Sequence, residues 1–368
     1  MFLKLPINFL KIKYLAGLVL GPISLLYGIV VWTRNKFFDA GLLKIYEPLY
    51  PVISVGNITT GGTGKTPFCM MLAKFFLDRG IPVVYISRGY GRQSRGLRRV
   101  DPTTTARISG DEPLMVSRRV PGLLVLVSAQ RAKALEKAKA TLERPFLSIM
   151  DDAFQHRRVK PILNIVLLAE RDLEPPRLLL PAGRLREPLK SLQRAHALIV
   201  TKEMTGRYTE KLFREFPEKP IFKGNVCIEG FFKYSDSVFH KEIPYRKFYV
   251  FCGIGYPEHF LNDLKNFGTV IGKRIFADHH WYSETDVREI LTEFDLLSIE
   301  NKILVTTEKD LVRLEELSEF PVLLGRRPLF IARSSFIFKD KNERHRFFEF
   351  ISSSTGLKTL LGTTPKND

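Results

Sequence analysis

The chain contains the stretch Pro51-Val-Ile-Ser-Val-Gly-Asn-Ile-Thr-Thr-Gly-Gly-Thr-Gly-Lys-Thr-Pro67, an apolar, β-branched run that ends in a glycine-rich turn. A helix-like segment follows over residues 68–78. Glycines allow backbone N–H groups to curl around phosphate oxygens, and the N-terminus of a following helix adds the positive end of its dipole. The stretch therefore predicts a phosphate-binding loop between a strand and a helix.

Each residue type in this loop suits a part of a nucleotide. We expect Lys65 to reach the terminal phosphates and the Thr66 hydroxyl to hold Mg²⁺. The spacing departs from the usual pattern once, because Thr59 stands at the first glycine position. An ordinary turn is the alternative, but it does not explain why a Lys-Thr pair follows the last glycine. The predicted nucleotide-binding residues are Thr59, Thr60, Gly61, Gly62, Thr63, Gly64, Lys65 and Thr66.

The composition fits a large globular protein with an acidic partner. The 368 residues suffice for two domains and a substantial core, and 45% of them are hydrophobic. The three cysteines are far apart, which favours a reducing compartment. A formal net charge of +18 favours binding to anionic lipid, nucleic acid or a phosphorylated substrate.

An uncharged, apolar segment near the N-terminus favours a lipid membrane among these partners. Residues 15–32 would extend about 27 Å as a helix, against a hydrocarbon core of about 30 Å. Tyr14 and Trp32 stand at its ends, where interfacial aromatic residues belong. We expect a membrane anchor facing the cytoplasm, which either spans the bilayer or lies in one leaflet. A buried core helix is the alternative.

Apolar, strand-like runs alternate with helix-like segments through the rest of the chain. This alternation predicts an α/β fold with a parallel sheet covered by helices on both faces, of the phosphate-loop (P-loop) NTPase type, plus a second, smaller α/β domain. The boundaries we expect are a membrane-anchoring helix over 1–36, a P-loop core over 37–220, a β linker over 221–247, the smaller domain over 248–330 and a C-terminal segment over 331–368.

Two carboxylates follow the strand candidate at residues 146–150. Asp151 and Asp152 would lie at the C-terminal end of a parallel strand, beside the phosphate loop, where carboxylates can hold the Mg²⁺ shell. A helix cap or a turn aspartate is the alternative. We take both residues as candidate metal-site residues together with Thr66.

Other charged groups also follow strand-like runs. Arg88 opens a run of five arginines that contains no acid and ends at Arg99, a pattern suited to bidentate phosphate contacts or to a solvated basic loop. The acid pair that begins at Asp111 stands at a predicted helix start, where acids often serve as caps. The Asp-His-His run that begins at Asp278 lacks the further ligands of a metal site, which leaves an acid–base pair or structural histidines.

In this order, the motifs resemble those of the tetraacyldisaccharide 4′-kinase family of the lipid A pathway of Gram-negative bacteria. The resemblance extends from about residue 15 to about residue 315 and depends on the combination of motifs. Two departures, Ala153 for a common glycine and Arg184 for a frequent proline, remove no reactive group. The matching motifs are Val55-Gly-Asn-Ile-Thr-Thr-Gly-Gly-Thr-Gly-Lys-Thr-Pro67, Ser87-Arg-Gly-Tyr-Gly-Arg92, Gly110-Asp-Glu-Pro113, Asp151-Asp-Ala-Phe-Gln-His156, Leu180-Pro-Ala-Gly-Arg-Leu-Arg-Glu-Pro188, Asp278-His279 and Thr307-Glu-Lys-Asp310.

The resemblance implies an ATP-dependent lipid kinase with ATP and Mg²⁺ as cofactors. Its γ-phosphate acceptor would be the 4′-hydroxyl of a tetraacylated glucosamine disaccharide 1-phosphate, an anionic glycolipid, presented at the cytoplasmic face of the bacterial inner membrane. The resemblance implies no nucleic acid and no protein partner. The implied catalytic residues are Asp111 as the base, its partner His279 and Lys65, and the implied substrate residues are Arg88, Arg186 and Glu187.

Two other classes of protein remain as alternatives. A membrane-associated P-loop ATPase or GTPase switch would share the loop, but Met204 stands where a guanine-reading motif has its aspartate. A basic nucleic-acid-binding protein needs a basic stripe interleaved with aromatic residues, whereas the basic residues here are mostly dispersed.

Overall fold

The computed structural model describes residues 7–202, 206–236, 238–354 and 357, and gives side chains for all of them except 7–19 and 207. Within these residues the helices are α1 (Ile7–Asp39), α2 (Lys65–Leu77), α3 (Ala106–Ser109), α4 (Asp111–Arg119), α5 (Arg131–Leu142), α6 (Arg207–Glu215), α7 (Pro257–Leu264), α8 (Glu284–Leu296), α9 (Glu308–Leu314), α10 (Phe320–Leu324) and α11 (Lys341–Ser353). The strands are β1 (Val52–Gly56), β2 (Val83–Ser87), β3 (Arg98–Val100), β4 (Leu124–Val127), β5 (Leu147–Met150), β6 (Leu163–Ala169), β7 (Ala197–Thr201), β8 (Ile221–Lys233), β9 (Phe239–His240), β10 (Lys247–Cys252), β11 (Thr269–Ile275), β12 (Lys302–Thr307) and β13 (Leu329–Phe338).

These strands form one mixed sheet in the order β11-β10-β12-β13-β8-β7-β6-β1-β5-β2-β4-β3, with β9 paired to β8 outside this path. Neighbouring strands are parallel from β8 to β4 and again from β11 to β13. The two parallel stretches meet where β13 pairs antiparallel with β8, and the edge strand β3 is antiparallel to β4. We call the part from β7 to β3 the first half and the part from β11 to β13 the second half.

Helices cover both faces of the first half. Every residue of β1 is buried, and successive side chains point to opposite faces. Ile53 packs in one core cluster with Phe68 of α2, whereas Val52 packs in another with Ala134 of α5. The expected α/β class with a large, mostly parallel sheet and helices on both faces is therefore confirmed.

The first half has a switch point at β1. This strand lies between β6 and β5, and β2 continues the sheet beyond β5. Loops after the carboxyl ends of strands on either side of such a point leave a crevice between them, where ligands of open α/β sheets bind. The loop after β1 opens into this crevice and leads directly into α2.

The second half has its own core and is joined to the first through β8. One cluster packs Phe251 against helix α8, and another packs Val250 against helix α7. Ile221 begins β8 beside β7, while the later residues of β8 pair with β13, so one strand belongs to both halves. The expected linker over 221–247 contains this strand, and the expected boundary at 330/331 falls inside β13.

The chain returns to the first half after β13. Helix α11 places Phe347 and Ile351 in the same core cluster as Phe68 of α2, with Phe347 and Phe68 in edge-to-face contact at 5.6 Å. The first half is thus completed by residues from the expected C-terminal segment.

The expected membrane helix does not find support as a spanning segment. Helix α1 is 33 residues long and runs through Pro22, but among the described residues no helix is long and apolar enough to cross a membrane. Ser24 and Tyr27 donate hydrogen bonds to the carbonyls of Leu179 and Arg186, so this face of α1 lies against a loop of the first half. The sequence pattern identified the apolar residues of α1, but it could not predict these long-range hydrogen bonds.

Candidate active site

The phosphate loop connects β1 to α2 at the switch point. Gly64 precedes the first helical residue with φ of 88°, and Gly61 has φ of 115°, conformations that L side chains rarely adopt. Gly64, the N-cap residue, has no side chain with which to cap the first turn of α2. Its N–H groups are therefore free to bind an anion at the positive end of the helix dipole.

A cleft of about 1000 Å³ opens above this loop, between the two halves. Most of the predicted site residues line it. They are Thr60, Gly61, Gly62, Thr63, Gly64, Lys65, Thr66, Arg88, Asp111, Asp151, Asp152, Arg186 and His279.

Thr59 and Glu187, which the sequence analysis included, lie outside this cleft lining. Thr59 is buried, and its hydroxyl donates a 3.0 Å hydrogen bond to Asp172 Oδ2. Glu187 is fully buried and accepts 2.8 Å hydrogen bonds from Asn35 of α1 and from Arg194. Both therefore brace the structure around the cleft.

A carboxylate group lies against the start of α2. The Thr66 hydroxyl is 2.9 Å from Asp151 Oδ2 and 3.1 Å from Glu112 Oε2. Burial and the neighbouring Glu112 raise the pKa of Asp151, while Lys65 opposes this rise. Tyr85, inside β2, donates a 2.6 Å hydrogen bond to the same Oδ2 of Asp151.

These oxygen atoms suit a hard divalent cation. Among the described residues no group of three or more His, Cys, Asp and Glu side chains is placed to hold a metal ion by itself. Mg²⁺ at phosphate sites usually takes one or two carboxylates and fills its shell with water and phosphate oxygens. Thr66, Asp151 and Glu112 match that donor set, so the residues present fit Mg²⁺.

Asp152 turns away from its neighbour Asp151 and lies between two cations. Its carboxylate is 3.4 Å from Lys65 Nζ and accepts hydrogen bonds of 2.9 and 3.0 Å from Arg186. Partial burial favours the neutral acid, but the charges of Lys65 and Arg186 prevail and lower the pKa of Asp152 to about 2. Asp152 thus holds Lys65 at the phosphate loop.

Asp111 and His279 meet across the two halves of the molecule. Asp111 opens α4, and His279 follows β11; His279 Nδ1 lies 2.9 Å from Asp111 Oδ2. Burial opposes ionisation of Asp111, but the hydrogen bond from His279 and the charges of Lys309 and Arg313 lower its pKa to about 2. The site therefore contains an ionised carboxylate, nearly inaccessible except from the cleft, that can accept a proton.

Sequence reasoning missed several residues of this site. Glu112 was read as a helix cap, yet it lies beside Thr66 and forms an ion pair with Lys309 at 3.2 Å. Lys309 and Arg313 belong to α9, and Arg313 Nε lies 3.7 Å from Asp111 Oδ2. The Thr-Glu-Lys-Asp motif after β12 was the available signal for α9. Nothing in the sequence indicated a role for Tyr85, because it lies in a wholly buried apolar strand and resembles an ordinary core residue.

A strand–loop–helix turn with a free helix N-terminus, a carboxylate group beside it and a second, ionised carboxylate on the cleft wall are typical of one class of enzyme. The protein is a kinase-type phosphotransferase of the α/β class.

Comparison with known proteins specifies the family. The LpxK family model, described as tetraacyldisaccharide-1-P 4′-kinase, matches residues 16–343. The tetraacyldisaccharide 4′-kinase of Chlorobaculum parvum is 37% identical over 329 residues, which cover 86% of this chain and 90% of that protein. The enzyme of that name from Flavobacterium psychrophilum is 34% identical, with coverage of 91% and 96%. This chain belongs to the tetraacyldisaccharide 4′-kinase family, which confirms the resemblance.

A solved structure supports the same relationship. The crystal structure of LpxK from Aquifex aeolicus in complex with ATP matches this chain with a TM-score of 0.69 at 33% identity. The match covers 90% of this chain and 98% of that chain. Both halves of the sheet are therefore features shared with that protein.

Proposed function

We propose that this protein transfers the γ-phosphate of ATP to the 4′-hydroxyl of a tetraacylated glucosamine disaccharide 1-phosphate, a reaction of lipid A biosynthesis. The observation that carries the proposal is the ionised Asp111, held by His279 at the wall of a cleft that also contains the phosphate loop. In this proposal Asp111 accepts the proton of the attacking hydroxyl, a role that typically contributes about 10²–10⁴-fold to the rate.

The phosphate loop would hold the donor. Lys65 and the N–H groups of residues 61–66 would bind the phosphates of ATP, and Arg88 would contribute a further positive charge from the end of β2. Thr66, Asp151 and Glu112 would hold Mg²⁺, which when bound neutralises charge on the transferring phosphoryl group. Arg186 would steer the anionic acceptor, because it lies on the cleft wall with its guanidinium against Asp152.

We also propose that α1 rests on the cytoplasmic face of the bacterial inner membrane. Ser24, Tyr27, Val31, Asn35 and Phe38 recur every three or four residues on the face that packs against the protein. The other side of α1 exposes a set of large apolar side chains suited to shallow insertion into a lipid surface. These side chains are Ile23, Leu25, Leu26, Ile29, Val30 and Trp32. The net charge of +18 favours an anionic surface.

Phosphate transfer from ATP to the lipid tests the proposed reaction. The detergent-solubilised protein is incubated with ATP labelled in its γ-phosphate and a tetraacyldisaccharide 1-phosphate. We expect label in the lipid at its 4′-position. The Asp111→Asn variant should transfer only a trace of label. ATP turnover that proceeds equally without the lipid would overturn the proposal and support an ATPase switch instead.

Vesicle flotation tests the membrane surface. We expect the wild type to float with vesicles that contain phosphatidylglycerol, and the Leu25→Glu/Leu26→Glu double variant to stay at the bottom of the gradient. Val322→Glu, at an 82% exposed apolar position on α10, is the matched control and should float normally. Equal flotation of the double variant and the wild type would contradict docking through this face of α1.

A further inference from the structure

Lys309 lies at the centre of a polar cluster where the two halves meet. Its side chain is 16% exposed, and its Nζ lies 3.2 Å from Glu112 Oε1, 3.3 Å from Asp278 Oδ1 and 3.2 Å from His279 Nε2. An ammonium group has three N–H donors and no acceptor. All three hydrogens of Lys309 therefore have an acceptor, and His279 Nε2 is one of them.

The lysine thereby fixes the protonation of the imidazole. A nitrogen that accepts a hydrogen bond from an ammonium carries no hydrogen, so in the neutral ring the hydrogen resides on Nδ1. His279 Nδ1 then donates to Asp111 Oδ2 at 2.9 Å. The opposite tautomer would place the Nδ1 lone pair against this carboxylate, and its Nε2–H would face Asp278 Oδ1 at 3.9 Å, too far for a hydrogen bond.

The other groups around the ring agree with this assignment. Arg313 adds a second positive charge 3.7 Å from Asp111, and the ring of Tyr90 packs against the imidazole with ring centres 4.9 Å apart and planes tilted by 55°. The charged and titratable groups in contact with His279 are thus Asp111 from α4, Tyr90 from the loop after β2, Lys309 from α9 and its own neighbour Asp278, and behind them Glu112 pairs with Lys309 and Arg313 with Asp111.

We propose that Lys309 is a positioning residue that holds His279 as the Nδ1–H tautomer, so that His279 orients Asp111 and does not relay its proton. This inference rests on the proposed function. The acceptor hydroxyl forms the new O–P bond as the bond from the γ-phosphorus to ADP breaks. The hydroxyl proton moves to Asp111 and remains there until the product leaves, because Lys309 occupies the far nitrogen of the ring.

Nitrogen NMR of the histidine rings identifies the tautomer of His279 and does not require the enzyme to be active. The protein is labelled with ¹⁵N-histidine, and the His279→Asn variant assigns the His279 signals among the seven histidines. We expect a protonated Nδ1 and an unprotonated Nε2 in the wild type at neutral pH. An Nε2–H tautomer or a doubly protonated ring would overturn the inference. A failure of lipid phosphorylation would overturn the proposed function and leave this spectrum unchanged.

Removing the ammonium tests the role of Lys309 itself. In Lys309→Met we expect Nε2 to take up a hydrogen in the spectrum and kcat at saturating Mg²⁺ to fall about 10- to 100-fold, as for loss of a hydrogen bond to a charged group. Lys265→Met, at a surface lysine that donates a hydrogen bond to Asn262, is the control. It should keep the wild-type His279 spectrum and the wild-type kcat. An unchanged His279 spectrum in folded Lys309→Met would contradict the inference.

Replacement of His279 by asparagine or glutamine distinguishes the contributions of its two ring nitrogens. The amide nitrogen of asparagine lies near the position of Nδ1, whereas that of glutamine lies near the position of Nε2. Asparagine also tolerates the left-handed backbone at His279, where φ is 60°. We expect His279→Asn to retain at least tenfold more kcat than His279→Gln when both melt at similar temperatures. Equal or reversed activities would count against a donor at Nδ1.

Discussion

The Tyr85 hydroxyl donates a 2.6 Å hydrogen bond to Asp151 Oδ2, the oxygen that also lies 2.9 Å from the Thr66 hydroxyl. Tyr85 is fully buried and comes from β2, two strands away from β1, which leads into the phosphate loop. It therefore fixes the carboxylate that faces the proposed Mg²⁺ position without reaching the cleft itself. Arg131 supports the same residue from the other side with a 3.1 Å hydrogen bond to the Asp151 carbonyl.

The Tyr85→Phe variant should weaken the use of Mg²⁺. It keeps the packing of the ring but removes a hydrogen bond to a carboxylate, which contributes about 1.5–3 kcal/mol. We expect the Mg²⁺ concentration at half-maximal rate to rise about tenfold or more, and Mg²⁺-dependent ATP binding to weaken in calorimetry. Tyr46→Phe, at a tyrosine bonded to Glu136 away from the cleft, is the control. The same Mg²⁺ dependence in Tyr85→Phe and wild type would contradict this role.

Asp111→Asn should abolish most of the chemistry and leave ATP binding intact. The amide cannot accept the hydroxyl proton, so we expect kcat to fall about 10²–10⁴-fold, the usual contribution of a general base. Because the amide is close in size to the carboxylate, the cleft should keep its shape. Steady-state kinetics and ATP titration measure the two effects, and near-normal kcat in a folded variant would remove Asp111 as the base.

Lys65→Ala should damage both ATP binding and turnover. Lys65 lies 3.4 Å from Asp152 at the first turn of α2, so its loss removes a positive charge from the phosphate site and leaves Asp152 with Arg186 as its remaining cationic partner there. We expect a higher KM for ATP together with a lower kcat. Lys74→Ala on the same helix, where the lysine pairs with Asp78 in solvent, should behave as wild type. A variant of Lys65 that changes KM alone would exclude a role in turnover.

Local patterns predicted the phosphate site, and long-range packing supplied what they could not. The glycines and the Lys65-Thr66 pair lie within one short loop. Because they are close in sequence, their spacing along the chain is enough to predict their arrangement in space. Asp111 and His279 are 168 residues apart, and they meet because β13 pairs with β8 and turns the second half toward the first. The resemblance to a family supplied that pair; spacing alone left it open.

The loop at residues 180–188 shows why neighbours in sequence can differ in role. Arg186 lies on the cleft wall, whereas the adjacent Glu187 points away and is fully buried against α1 and Arg194. One of the two charged neighbours thus faces the cleft and the other faces the protein interior. Sequence reasoning placed both near the substrate, because the partner of Glu187, Asn35, lies 152 residues earlier.

Glu187→Ala should loosen α1 from the first half. The change removes the acceptor of Asn35 and leaves Arg194 without its buried partner, a loss on the order of 3 kcal/mol for a broken buried pair. We expect faster proteolytic cleavage within α1 and a lower melting temperature, with KM for ATP unchanged. Glu187→Gln, which keeps an acceptor, should lie between this variant and wild type. Equal protease resistance of all three proteins would argue against this bracing role.

His156 should make the protein less stable as the pH falls below neutral. Burial and the nearby charges of Arg131, Arg158 and Arg88 lower its pKa from 6.5 to about 4. Between these two values the unfolded chain takes up a proton that the folded protein excludes, so the free energy of unfolding decreases as the pH falls from 6.5 toward 4. His156→Gln removes this contribution, and its melting temperature should therefore depend less on pH across that window. His345→Gln, at an exposed histidine on α11, should retain the wild-type slope. Melting curves that shift in parallel for His156→Gln and wild type would exclude His156 as the source of the effect.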